Sequence, residues 1–243
     1  MSYFKKKLKI LRKHFKKFIN MLSKNVVISI GENCLADNIL SRNNIKSFSS
    51  PYASARSNIE FILAFEKERF VDFLNPKYLI FNETANNKVV HNIKFTETKN
   101  KYYNSCIYGF EFTHHNVLED DNVRKKFKRR CKRLLSLKNK NIVMLYHHRI
   151  CEDTDINMLT NHLQELSQIY RARKNNVQIF LFTQKIVSSE TLRKVDHSII
   201  NGVECYVFHT MHAWAGDKEE YLWAKCDNDL LETMISDIKK TLI

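Results

Sequence analysis

A chain of 243 residues with 44% hydrophobic content is long enough to bury one sizeable core, and its formal net charge of +14 favours anionic partners. It holds only four glycines and two prolines, and neither a G-x-G-x-x-G nor a Walker motif, so phosphate binding by a glycine-rich loop is excluded. The six cysteines include no C-x-x-C pair, and neither a signal-peptide core nor a membrane-length apolar run is present, which points to free thiols in a cytoplasmic compartment.

Residues 1–24 form a separate element. Phe4, Leu8, Leu11, Phe15, Phe18, Ile19 and Leu22 recur at three- and four-residue steps. Lys5, Lys6, Lys7, Lys9, Arg12, Lys13, Lys16, Lys17 and Lys24 fill the other positions without an acid, so nine of the fourteen net charges sit here. A basic amphipathic helix lying on an anionic membrane surface is expected, with a helix packed on its own domain or on a partner's as the alternative. Residues 25–243 then read as a single α/β domain.

That domain opens with Val26 to Ile30, a buried strand by its β-branched residues. Gly31 ends it, and a helical pattern begins at Asn33 or Cys34 with Leu35, Ile39 and Leu40 on one face. Strand, tight turn and helix is how α/β enzymes present a nucleophile, and here the turn carries Cys34. At a helix N-terminus, unpaired N–H groups and the helix dipole favour the thiolate. The same N–H groups, with that of Gly31, could hold an oxyanion. A small buried cysteine opening a core helix is the plainer alternative.

Ile45 to Tyr52 is polar and extended, with a turn at Pro51. Ser57 or Asn58 caps a helix expected to run to about Leu74, stopped by Asn75-Pro76. Arg56 and Ser57 before a helix start suit an anion or sugar; ordinary capping is an equal alternative. Tyr78 to Phe81, Val89 to Ile93 and Ile107 to Phe112 are short strand candidates. Glu119, Asp120 and Asp121 start a basic helix with Val123, Phe127, Cys131 and Leu134 as its buried stripe. Lacking a recognisable module and aromatic platforms, it implies no nucleic-acid partner.

Ile142 to Tyr146 is a second buried strand. Asp153 or Thr154 caps a helix carrying Ile156, Leu159, Leu163, Leu166 and Ile169. Val177 to Phe182 and Val203 to Phe208 are further strands, and a helix from about Asn228 to Leu242 closes the chain. This alternation predicts a three-layer α/β fold: a mostly parallel sheet with helices on both faces. Ligands in such folds sit at the carboxyl ends of the strands, where Cys34, His147 and His148, and the His209 to His212 stretch all fall. His147, His148 and Cys151 have ligand chemistry, but no second cluster completes a zinc site, and no metal is expected.

SIGENCLADNIL, then SFSSPYASARSNIEF, then YGFEFTHHN together resemble a bacterial family called papain-like cysteine peptidases, whose members often occur near surface-polysaccharide genes. The resemblance runs roughly from Val26 to Trp223. Its blocks fall on Gly31 to Cys34, Pro51 to Ser54, and Tyr108 to His115. Tyr52, Ala53 and Ser54 stand where Phe, Asp and Trp are usual, and Asn116 stands where Asp often follows the histidine. The resemblance implies Cys34 as nucleophile and His115 as base. His114 is its neighbour, and strand alternation sends the two to opposite faces, so only one can serve. His212, beyond the last strand, is the alternative base; Asp37, Asn116 or Asp217 could orient whichever acts. Gly31, Asn33, Ser54, Arg56, Ser57 and Asn58 are the expected substrate contacts.

A looser likeness is to capsule-biosynthesis acetyltransferases with a coenzyme A site. The leading expectation is therefore a Cys34 acyl-transfer enzyme acting on a surface polysaccharide or its precursor at the inner membrane face. It would require no cofactor, though a coenzyme A-type acyl donor is compatible. The expected partners are an anionic glycan or glycolipid precursor and, through residues 1–24, an anionic membrane. A papain-like peptidase and a non-catalytic membrane- or polyanion-binding module are the competing readings.

Overall fold

The computed structural model describes residues 23–84, 87–95, 109–152, 154–214 and 218–243. The expected helix over residues 1–24 falls almost wholly outside them.

Five strands make the main sheet: β1 (Asn25–Gly31), β5 (Asn141–His147), β6 (Asn176–Ile186), β8 (Val203–Thr210) and β7 (Lys194–Ile200), in that spatial order. β1, β5, β6 and β8 are parallel, and β7 pairs antiparallel with β8 at the far edge. A smaller antiparallel sheet holds β2 (Leu79–Thr84), β3 (Asn87–Asn92) and β4 (Phe110–Phe112) in chain order.

The parallel strands read as near-continuous apolar runs because both faces are covered. Alternate residues of each strand go to opposite layers. Ile28, Ile30, Met144, Tyr146, Ile179 and Leu181 face one core with α2 (Ile59–Lys67), α3 (Asp121–Leu135), α4 (Ile156–Arg171) and the small sheet. Val27, Val143, Leu145, Phe180 and Phe182 face the other, with α1 (Leu35–Arg42) and α6 (Asn228–Lys240). The three-layer α/β arrangement is thus the one expected. A short α5 (Glu219–Leu222) precedes α6.

Of the two expected caps, Asn58 serves α2, accepting a hydrogen bond from Phe61 N. Other local expectations change. The helix stops at Lys67 because Arg69 and Phe70 adopt positive φ of 54° and 61°, long before Asn75-Pro76. Asp155 caps α4 through Met158 N. Strand β7 is an addition, joined to β8 by Asn201 and Gly202 with φ of 51° and 73°.

Edge strand β1 is not bare. Val27 N donates to Ser47 Oγ at 2.9 Å, Ser47 N to Val27 O at 2.9 Å, and Ser50 Oγ to Ser29 O at 2.7 Å. The extended segment after α1 thereby covers the edge and carries the chain back across the rim to residues 54–58.

Candidate active site

The site lies where parallel-sheet geometry places ligands, at the carboxyl ends of the strands. β1 ends at Gly31, with φ of +113°. A Cβ here would sit 2.8 Å from the Tyr146 ring, so glycine is required both by the backbone and by the neighbouring strand. Glu32 and Asn33 complete the turn, and Cys34 is the N-cap residue of α1.

Cys34 lines a cavity of about 250 Å³ with Asn33, Ser54, Arg56, His114, Arg149 and Trp214 among its walls. This volume holds the reacting portion of a substrate rather than a whole drug-sized molecule. A second cavity of about 200 Å³ shares Arg149 and Trp214 and extends past His147 and Gln184. The two adjoin at Arg149 and Trp214.

Three loops are tied together at the first cavity. Arg56 exchanges backbone hydrogen bonds with Glu111 of β4, at 3.0 and 2.9 Å, which brings the loop before α2 alongside the end of β4. Two residues beyond β4, His114 reaches the cavity. Glu32, only 2% exposed, accepts from Arg149 N at 2.6 Å, and its other oxygen lies 3.2 Å from Arg149 Nε. Ser57 N donates to the Glu32 carbonyl at 3.3 Å. Glu32 therefore binds the β1–α1 turn to the segments after β5 and before α2.

Burial pushes the Cys34 thiol up from its ordinary range, and Asp37 adds to this; a backbone hydrogen bond at Cys34 and the Arg56 and Arg149 guanidiniums oppose it. Desolvation thus outweighs the helix terminus that was expected to favour the thiolate. A thiol shifted in this direction needs a base to become a nucleophile. The unpaired first-turn N–H groups of α1 remain natural oxyanion donors, except that of Leu35, which donates to Asn33 Oδ1 at 3.0 Å. Asn33 Oδ1 also lies 3.3 Å from His147 Nδ1. His147 stacks on Phe182 with centroids 4.8 Å apart, and burial keeps it neutral.

The structure places the other expected residues as follows. His115 packs edge-on against Phe127 of α3, centroids 5.2 Å apart, and burial with Lys126 and Arg130 nearby lowers it to about 4. Its neighbour His114 is the histidine that lines the Cys34 cavity. The two lie beyond the end of β4, outside any strand, and of them only His114 is among the cavity's lining residues. His212 stacks on Tyr221 at 4.4 Å and is not among the cavity's lining residues. Asn116 exchanges hydrogen bonds with Glu119. Asp37 accepts from Ser29 Oγ and Lys46 Nζ. Asp217 lies outside the described residues. Ser54 and Arg56 line the cavity, whereas Ser57 and Asn58 are buried behind it and support α2.

Glu32, Arg149 and Trp214 were not singled out by sequence. Arg149 lies two residues beyond the strand Asn141–His147, and Trp214 four beyond Val203–Thr210, so the strand-end rule that located Cys34 points to their neighbourhood. His148 Nε2 lies 3.2 Å from Thr154 Oγ1, which also takes the Cys151 N–H at 2.9 Å. Among the described residues no group of three or more His, Cys, Asp or Glu is arranged to hold a metal ion.

A cysteine at the N-cap position of a helix, at the carboxyl rim of a parallel sheet, shares one cavity with a histidine and two arginines in this α/β fold. The chain belongs to the family described as "Putative papain-like cysteine peptidase (DUF1796)", whose model matches residues 25–189. The match spans β1 to the end of β6 and includes Cys34, Arg56, His114 and Arg149. No curated protein and no solved structure matches the chain.

Proposed function

We propose that this protein is a thiol-dependent acyl-transfer enzyme with Cys34 as nucleophile and His114 as general base. The observation that carries the reading is that Cys34, at the start of α1, and His114, beyond β4, line one small cavity although 80 residues apart in sequence. His114 takes the Sγ proton as sulfur attacks the carbonyl carbon. First-turn N–H groups of α1 hold the oxyanion. The leaving group departs with the proton from His114, and a thioester on Cys34 remains. Water or an acceptor hydroxyl then resolves it, with His114 taking a proton once more.

Two readings of the acyl group follow. The family's description favours a peptide carbonyl and hydrolysis. The charge of +14 supports an anionic glycan or glycolipid precursor, acylated from a coenzyme A-type donor at the inner membrane face.

The test is acylation by p-nitrophenyl acetate at pH 8, followed by peptide mapping. Acetyl is expected on Cys34, absent in Cys34→Ser, and slowed about 10²-fold or more in His114→Ala. His115→Ala and His212→Ala should leave the rate within a few-fold. Acetyl distributed equally over Cys131, Cys151, Cys205 and Cys226 would overturn the reading. Parallel incubations with casein and with acetyl-coenzyme A plus glycan precursors separate peptidase from transferase.

A further inference from the structure

We infer that Arg56 and Arg149 form an anion-recognition pair beside Cys34, so that the substrate carries a carboxylate or phosphoryl group within a few bonds of the carbonyl under attack. The inference rests on the proposed role of Cys34 and specifies its substrate class. Both guanidiniums line the cavity that holds the thiol. Both also act on the sulfur electrostatically, in the direction that favours negative charge there.

The arginines come from loops far apart in sequence, and each is braced from behind. Arg149 Nε lies 3.2 Å from Glu32, and Arg56 Nε lies 3.8 Å from Glu111. The carboxylate side chains are 2% and 10% exposed, whereas the Arg149 and Arg56 side chains are 34% and 49% exposed. The cations therefore front the cavity and the anions back it. Burial raises Glu32 to about 7, against the pull of both arginines. Planar forks braced in this way suit bidentate recognition of an oxyanion. Arg149 also borders the second cavity, so the anion can be held at the junction of the two cavities while the acyl carbon reaches Cys34.

The experiment compares alkylation of Cys34 by iodoacetate and iodoacetamide in the full-length protein, each site read by mass spectrometry. The ratio of the two rates cancels the thiolate fraction. Relative to the same ratio for free N-acetylcysteine, Cys34 should favour iodoacetate on the order of tenfold. The preference should shrink in Arg56→Ala, and as salt rises. Arg149→Ala leaves Glu32 buried without its partner and is at risk of misfolding, so the second variant is Glu32→Gln with Arg149→Ala. It should also lose most of the preference. Protection by acetate assigns a carboxylate, and protection by phosphate a phosphoryl group.

An iodoacetate preference no greater than that of N-acetylcysteine, or one unchanged in both variants, overturns the inference. That failure is distinct from failure of the acyl-transfer reading, which p-nitrophenyl acetate reports independently. A Cys34 that resists both reagents under native conditions overturns the two together.

Discussion

Glu66 is a carboxylate in the core. Its side chain on α2 is essentially unexposed and accepts from Tyr170 Oη at 2.6 Å and Tyr52 Oη at 3.2 Å, with Arg173 3.8 Å away. Burial raises it from 4.5 to about 7, against the two tyrosine hydrogen bonds and Arg173. Between those two values the folded chain keeps a proton that the unfolded chain has lost. The stability this contributes is fully present below about 4.5 and is lost as pH rises through 7. His115 and His148 work in the opposite sense. Burial lowers each from 6.5 to about 4, so their contribution is present above 6.5 and lost as pH falls toward 4. The Glu66 contribution is isolated by difference. Relative to the parent, Glu66→Gln should gain stability as pH goes from 5 to 7.5, with a slope of at most about 1.4 kcal/mol per pH unit. Urea unfolding at a series of pH values measures it. A parallel pair of curves would show that Glu66 does not titrate in this window.

The β1–Gly31–α1 unit makes the site, and its constraint is local. Gly31→Ala forces a Cβ into a backbone of φ +113° and to within 2.8 Å of the Tyr146 ring. The backbone conformation and the clash each cost about 1–3 kcal/mol. A lower urea midpoint is expected, with weaker Cys34 acylation because α1 must shift. Adding Tyr146→Leu should relieve the clash but not the backbone strain, so the double variant should recover only part of the loss. This element was legible in sequence because a β-branched run, one glycine and an amphipathic stripe all pointed the same way. The choice between His114 and His115 was not, because adjacent residues beyond a three-residue strand can be assigned to a face only when the packing of Phe127 is known. Strand β7 was missed for another reason. Lys194, Asp196, His197 and Ser198 hide its alternation, as charge does on many edge strands. The Asn201-Gly202 pair was its visible signal. The early end of α2 depends on left-handed conformations at Arg69 and Phe70 that no local rule demands of these residues.

At the scale of the whole molecule, much of the positive charge is concentrated in two stretches of sequence, residues 1–24 and helix α3. The chain enters at the amino edge, where Lys140 Nζ donates to Ser23 O at 2.8 Å and Asn141 N to Lys24 O at 2.9 Å. Cys34 lies at the carboxyl edge, a seven-residue strand away, or about 20 Å. Residues 1–24 carry nine cations and no acid. Helix α3 adds Arg124, Lys125, Lys126, Lys128, Arg129, Arg130, Lys132 and Arg133 against Asp121 alone, and Lys138 and Lys140 follow just before β5. Each cation near an anionic bilayer contributes on the order of 1 kcal/mol at low salt, and the apolar residues of the N-terminal segment add a salt-insensitive part. The full chain should therefore sediment with vesicles containing phosphatidylserine, and much less with phosphatidylcholine alone. Binding should weaken as salt rises without vanishing. Removing residues 1–22 should abolish the salt-resistant part and leave weak, fully salt-sensitive binding through α3. It should also leave one cooperative thermal transition. A truncated protein that loses that transition, beside an intact one that ignores anionic vesicles, would place the segment in the fold instead of on a membrane.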